Sequence, residues 1–187
     1  MSQVVKLITR VLCVCSFFLL TACSSVYSIN PVGEKPVHLE LDEWNGNWLG
    51  ANGVMTIRVK DAEHGILQVA WIEDMELLQY QVQLLESGDW VFFNLREEED
   101  DDGYFWGRVK KDSNSIILWD PEISKFRTLV EAGTLPGEVK KSGKDNEYDS
   151  DVILGELTVE HLQIITSEKN GVLFDWDDPL VLIKLLD

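Results

Sequence analysis

The chain has 187 residues, enough for one domain with a full hydrophobic core, and its 45% hydrophobic and 26% charged residues exclude a disordered composition. Thirty-three acidic against 16 basic residues give a net charge of −17, which excludes nucleic-acid binding through a basic footprint. Cys13 and Cys15 lie inside an apolar N-terminal run that Cys23 closes, so these cysteines do not form a disulfide or metal framework.

Lys6 and Arg10 precede the mostly apolar residues 11–20. A membrane-spanning helix needs about 20 such residues, so this run has the length of a signal-peptide core. It ends in Leu20-Thr21-Ala22-Cys23 followed by Ser24 and Ser25, which resembles the lipobox of bacterial lipoproteins. The resemblance implies a diacylglyceryl thioether on Cys23, cleavage before it, and acylation of the new amino group. Residues 1–22 are then a signal peptide. Loss of Lys6 and Arg10 takes the charge from −17 to −19, and the one remaining cysteine carries lipid. In Gram-negative lipoproteins an Asp after the cysteine retains the chain at the inner membrane. Ser24 stands there instead, which implies an outer-membrane anchor with the domain facing the periplasm. Membrane lipid is therefore the first expected partner.

Residues 23–41 combine the lipidated cysteine with Ser24, Ser25, Ser28, Pro31, Gly33 and Pro36, without apolar periodicity. They read as a flexible tether, with a coil reach of roughly 23 Å. The soluble domain is expected over 42–187, with no second linker and no internal repeat.

Strand signals dominate from Trp44 to Asp120. Met55, Ile57 and Val59 alternate with Val54, Thr56 and Arg58. Leu67, Val69 and Trp71 alternate with Gln68 and Ala70, and Tyr80, Val82 and Leu84 with glutamines. Further strands are predicted over 90–95, 104–110 and 115–119, separated by short polar turns, which describes an antiparallel meander. Ile123, Phe126, Leu129 and Val130 share one helical face between Pro121 and Gly133. A second short helix starts at Thr158, with Val159, Leu162 and Ile165 on its apolar side, and ends at Asn170-Gly171. Residues 140–150 read as a polar loop, and strands over 172–176 and 180–186 close the chain. The fold class is mainly β: a single antiparallel meander forming a small barrel or strongly bent sheet, with two short helices.

Gly46-Asn47-Trp48 opens the first strand of this meander. It resembles the Gly-X-Trp motif of lipocalins and lipocalin-like barrels, where the Trp plugs the closed end and a basic residue from the last strand packs on its ring. The resemblance implies that role for Lys184, although lipocalins usually carry Arg there and the chain has no Thr-Asp-Tyr motif. A lipocalin-like barrel would bind a small apolar or amphipathic ligand. Seven tryptophans lie after residue 43, and Trp71, Trp90 and Trp106 are the candidate ligand-lining residues, against the alternative that all seven fill the core.

Two acidic runs invite a metal reading. Aligning Glu98, Asp100 and Asp102 with the first ligands of an EF-hand places Gly103 correctly, but the required twelfth-position acid is Val109, so no metal site is assigned. The second run, Asp145, Glu147, Asp149 and Asp151, reads equally as a solvated loop. His38, His64 and His161 fall in no zinc-binding pattern, and the chain has neither a Gly-X-Ser-X-Gly elbow nor a phosphate-binding glycine loop. No catalytic residue and no cofactor is expected. The expected function is that of an envelope lipoprotein with a ligand-holding barrel. The alternative is an adaptor whose acidic surface meets a cationic envelope protein. Replacing Cys23 with Ala is expected to abolish metabolic labelling with palmitate, and normal labelling of that variant would overturn the lipobox assignment.

Overall fold

The computed structural model describes residues 25–51, 53–73, 76–96, 103–141, 150–167 and 173–185. The lipobox cysteine, the acidic run 97–102, Asp145, Glu147, Asp149 and Asn170-Gly171 lie outside the described residues. In chain order the strands are β1 (Val26–Ser28), β2 (Lys35–Pro36), β3 (Gly46–Gly50), β4 (Gly53–Asp61), β5 (Ile66–Glu73), β6 (Glu76–Ser87), β7 (Trp90–Leu95), β8 (Tyr104–Asp112), β9 (Ser115–Trp119), β10 (Gly137–Lys141), β11 (Ser150–Leu154) and β12 (Leu180–Lys184). Three short helices are α1 (Leu41–Trp44), α2 (Ile123–Glu131) and α3 (Val159–Thr166).

Eight strands close a barrel in the order β3-β4-β5-β6-β7-β8-β9-β12, each antiparallel to its neighbours. Closure comes from β12, which pairs with β9 through Leu182↔Ile116 and with β3 through Lys184↔Trp48. The meander is thus continuous from β3 to β9, and the last wall strand returns after a long insertion. Eight strands leave an interior just wide enough for side chains or one small ligand. Leu67, Val69, Val82, Leu84, Phe93, Val109 and Leu182 point inward and are buried. The alternation seen in the sequence places them there, since successive strand residues face opposite sides of the wall.

A second core lies outside the barrel. On β7 and β8, Phe92 and Trp106 point away from the interior, yet both are fully buried. They pack against Phe126 of α2, Leu162 and Ile165 of α3, Val152 and Leu154 of β11, and Phe174. A ribbon carries this layer: β1 pairs antiparallel with the start of β8 and parallel with β11, and β10 pairs with β11. Helix α2 begins after Glu122, whose carboxylate accepts from the Ser124 amide, and it stops where Gly133 takes a positive φ of 69°. Thr158 caps α3 in a reciprocal box with His161.

Residues 25–41 are therefore not a flexible tether. Val26, Val32 and Leu39 are buried, β1 and β2 are hydrogen-bonded into the sheet, and Asn94 clamps the segment from the barrel wall. The Val32 amide donates to Asn94 Oδ1 at 2.6 Å, and Asn94 Nδ2 donates to the Val32 carbonyl at 3.0 Å. The composition misled because isolated apolar residues spaced along an irregular path carry no period. Three further expectations are corrected. The loop expected over 140–150 yields its ends to β10 and β11, and no local pattern announces that these two pair with each other or that β11 pairs with β1. Over 173–176 the chain forms only an isolated bridge, Pro121↔Phe174, rather than a strand, because Phe174 is held by the second core and not by a ladder. Val159 is half exposed, so α3 buries Leu162 and Ile165 alone.

Replacing Asn94 with Ala leaves both Val32 backbone groups buried without partners. It is expected to destabilise the protein by about 1–3 kcal/mol, measured by urea denaturation. A change within experimental error would remove the clamp from this account.

Candidate functional site

The barrel interior is closed at one end by the chain itself. Trp48 has no exposure and donates its indole N–H to the Trp44 carbonyl at 3.1 Å, tying β3 to α1. Lys184 Nζ stands 5.5 Å from the Trp48 ring centroid and donates to the carbonyls of Asp42 and Glu43. Lys111 Nζ approaches the same ring at 5.6 Å, and burial lowers its pKa. Gly46 makes room for this arrangement: a Cβ there would lie 3.0 Å from Lys184 Cε. A cation over an indole is worth about 0.5–2 kcal/mol, so the pair of lysines helps fix the plug.

Above the plug lies a cavity of about 300 Å³, at the lower bound of typical ligand pockets. Its walls include Ile57, Val69, Val82, Phe93 and Ile116, and among the described residues Asp120 is the only ionisable one that lines it. Asp120 sits at the open end, where β9 leaves the barrel. The protein crowding its carboxyl raises its pKa, and the charges of Asp175 and Asp178 raise it further. The remaining opening leads to a second cavity of about 300 Å³, which shares Trp71, Leu95 and Phe105 with the first. Ser25 and Tyr80 line this outer chamber, and Tyr80 stacks on Trp71 at 4.9 Å between centroids.

Of the three tryptophans read as ligand-lining, the structure brings only Trp71 to the cavity. Trp106 is sealed in the second core, 5.5 Å from Phe126 and 6.0 Å from Phe174. Trp90 lies on the outer wall and makes one side of an aromatic cage. Arg108 Cζ stands 3.9 Å from the Trp90 centroid, 4.8 Å from Trp176 and 5.3 Å from Trp119. The cage is filled by the chain's own guanidinium, so it latches 173–176 onto the barrel. Alternation puts Trp90 and Trp106 on one face and Phe93 and Phe105 on the other. Only knowledge of which face encloses the cavity assigns their roles. The residues that sequence reasoning missed are Phe105, Leu95 and Asp120, and the period-2 parity of β7 and β8 was the signal available for the first two.

Among the described residues no group of three or more His, Cys, Asp and Glu side chains is placed to hold a metal. The histidines serve local structure. His64 Nδ1 lies 2.9 Å from Asp61, and this hydrogen bond is the first cause of the lowered Asp61 pKa. His38 lies between Glu40 and Glu63, and His161 belongs to the α3 cap.

A raised carboxyl pKa means that the folded state binds the proton more tightly than the unfolded chain. That contribution to stability is present below the ordinary Asp pKa and is lost as pH rises through the folded value. Asp120→Asn is therefore expected to stabilise the protein at pH 7, by less than about 1 kcal/mol for a group at the rim, with the gain vanishing near pH 3. Denaturant midpoints at the two pH values measure it, and an equal effect at both would remove the electrostatic account. Comparisons with family models, with curated proteins and with solved structures find no match to this chain.

Proposed function

We propose that the chain is a lipid-anchored lipoprotein of the bacterial outer membrane, facing the periplasm, whose barrel holds a small apolar or amphipathic ligand without catalysing a reaction. The observation that carries this reading is the interior cavity of about 300 Å³, whose described lining is apolar apart from the Asp120 carboxylate at its open end. Plugged by Trp48 at the other end, it admits a ligand from one direction only. An apolar tail would take the interior, and a polar head would stay beside Asp120, Trp71 and Tyr80. The anchor reading rests on the lipobox resemblance at Cys23.

The alternative is an adaptor for a cationic envelope partner. It draws on the net charge of −17 and on the acidic rim formed by Asp120, Asp175 and Asp178. The two differ in where binding occurs: inside the wall for the cup, on its surface for the adaptor.

The described fold begins at residue 25, so Ser24–Asp187 retains both cores. Native mass spectrometry of this chain, purified gently from a periplasm, is expected to show a bound mass that denaturation releases. Val69→Phe adds volume to the cavity, should keep the fold at a cost of about 1–3 kcal/mol, and is expected to weaken that binding at least tenfold. A clean unliganded mass together with Val69→Phe that changes nothing would move the assignment to the adaptor.

A further inference from the structure

Beside the barrel interior and its outer chamber lies a third cavity, of about 220 Å³, where β9 ends and α2 begins. It shares Phe105 and Asp120 with the interior, and Ser25 and Phe105 with the outer chamber, so Phe105 stands where all three meet. Its described walls carry three carboxylates, those of Asp120, Glu122 and Asp175, and no lysine, arginine or histidine. The described walls of the other two cavities hold no basic residue either.

The three carboxylates differ in what they already hold. Glu122 accepts from the amide and hydroxyl of Ser124 at the start of α2, and Asp175 accepts from the Asp177 amide at 3.3 Å. Among the described residues, no donor and no cation pairs with the carboxylate of Asp120. Alternation sets its position. Ile116 and Leu118 of β9 line the barrel cavity, and Asp120, two residues further on, continues that inward face. An unpaired carboxylate thus ends a wall of aliphatic side chains. The charges of Asp175 and Asp178 work against its ionised form, and a cation placed among them relieves that repulsion.

The aromatic groups at the junction favour the same charge. Phe105 meets Tyr27 edge to face at 6.4 Å, and Trp71 and Tyr80 line the adjoining chamber. Ring faces attract cations, most strongly where water is partly excluded. From this junction we infer that the ligand of the barrel is a cationic amphiphile, with an alkyl chain in the apolar interior and an ammonium head held between Asp120 and the Phe105 ring. This rests on the cup reading above and names the charge of the ligand's head. An anionic head would meet three carboxylates, and a neutral one would leave Asp120 unpaired. The net charge of −17 draws a cation toward the mouth, but the apolar cavity behind Asp120 selects one that carries a tail.

Isothermal titration of Ser24–Asp187 with decyltrimethylammonium, decanol and decanoate tests this, each below micelle formation and at about 0.15 M salt, which screens distant charge. Decyltrimethylammonium is expected to bind at least about tenfold more tightly than decanol, and decanoate more weakly than decanol. Asp120→Asn, at an exposed position, should remove the preference for the cation while decanol binds as before. Glu43→Gln deletes the same charge on exposed α1 at the plugged end, and should leave the preference intact. Equal affinities for the cation and decanol, or equal losses in Asp120→Asn and Glu43→Gln, would overturn the cationic head. Val69→Phe keeps the two readings apart. If it weakens decanol binding while the cation shows no preference, the cup stands and the head assignment falls. If no ligand binds, or Val69→Phe changes nothing, the cup reading falls and the head assignment with it.

Discussion

The structure depends on one wall whose two faces are both dry. On β7 and β8, Phe93, Phe105 and Val109 fill the barrel, while Phe92, Asn94 and Trp106 are buried on the outside. An eight-stranded barrel ordinarily shows water a polar outer face. Here that face is apolar along one side, and an exposed Phe92 and Trp106 would each forgo about 1.5–3 kcal/mol of burial. The segment before the barrel and the insertion between β9 and β12 exist, in physical terms, to cover it. Helices α2 and α3, the ribbon β1-β11-β10 and Phe174 converge on these two rings. Asn94, buried among them, is acceptable only because Val32 satisfies both ends of its amide.

This cover also decides the geometry at the mouth. Because β1 pairs with the first residues of β8, the chain enters the fold beside the open end of the barrel. The closed end is organised separately, by α1 crossing beneath Trp48 and by Lys184 bridging from the last strand to the carbonyls of α1. The two ends differ in chemistry as a result. One is a plug of indoles and lysines, and the other is an aromatic and acidic rim around an apolar cavity. A binding reading follows from that polarity, since a cavity sealed at one end and charged at the other orients whatever enters it.

Much of the barrel was legible. Strict alternation at Met55–Val59, Leu67–Trp71 and Tyr80–Leu84 marked half-buried strands, and short polar turns between them marked a meander. The helix at Ile123–Glu131 carried its own start and stop. The candidate site was legible only in part. Trp71 was identified among the lining residues, but Trp90 and Trp106 were placed with it because a large aromatic on a strand looks the same whichever face it serves. The long irregular path of residues 25–41 was illegible for a related reason: Val26, Val32 and Leu39 have no common period, and their burial comes from surfaces far along the chain.

The sequence by itself determined the strands of the continuous meander from β3 to β9, their order, and the parity of their residues, because these follow from local alternation and turn chemistry. It also determined the Gly46-Asn47-Trp48 element and the charge. Only the tertiary structure decided which parity encloses a cavity, that β12 returns to close the barrel, and that the N-terminal segment is a structural layer. These are long-range facts: they depend on pairings such as Tyr27↔Phe105 and Val26↔Val152, in which neither partner's neighbourhood carries a mark of the other.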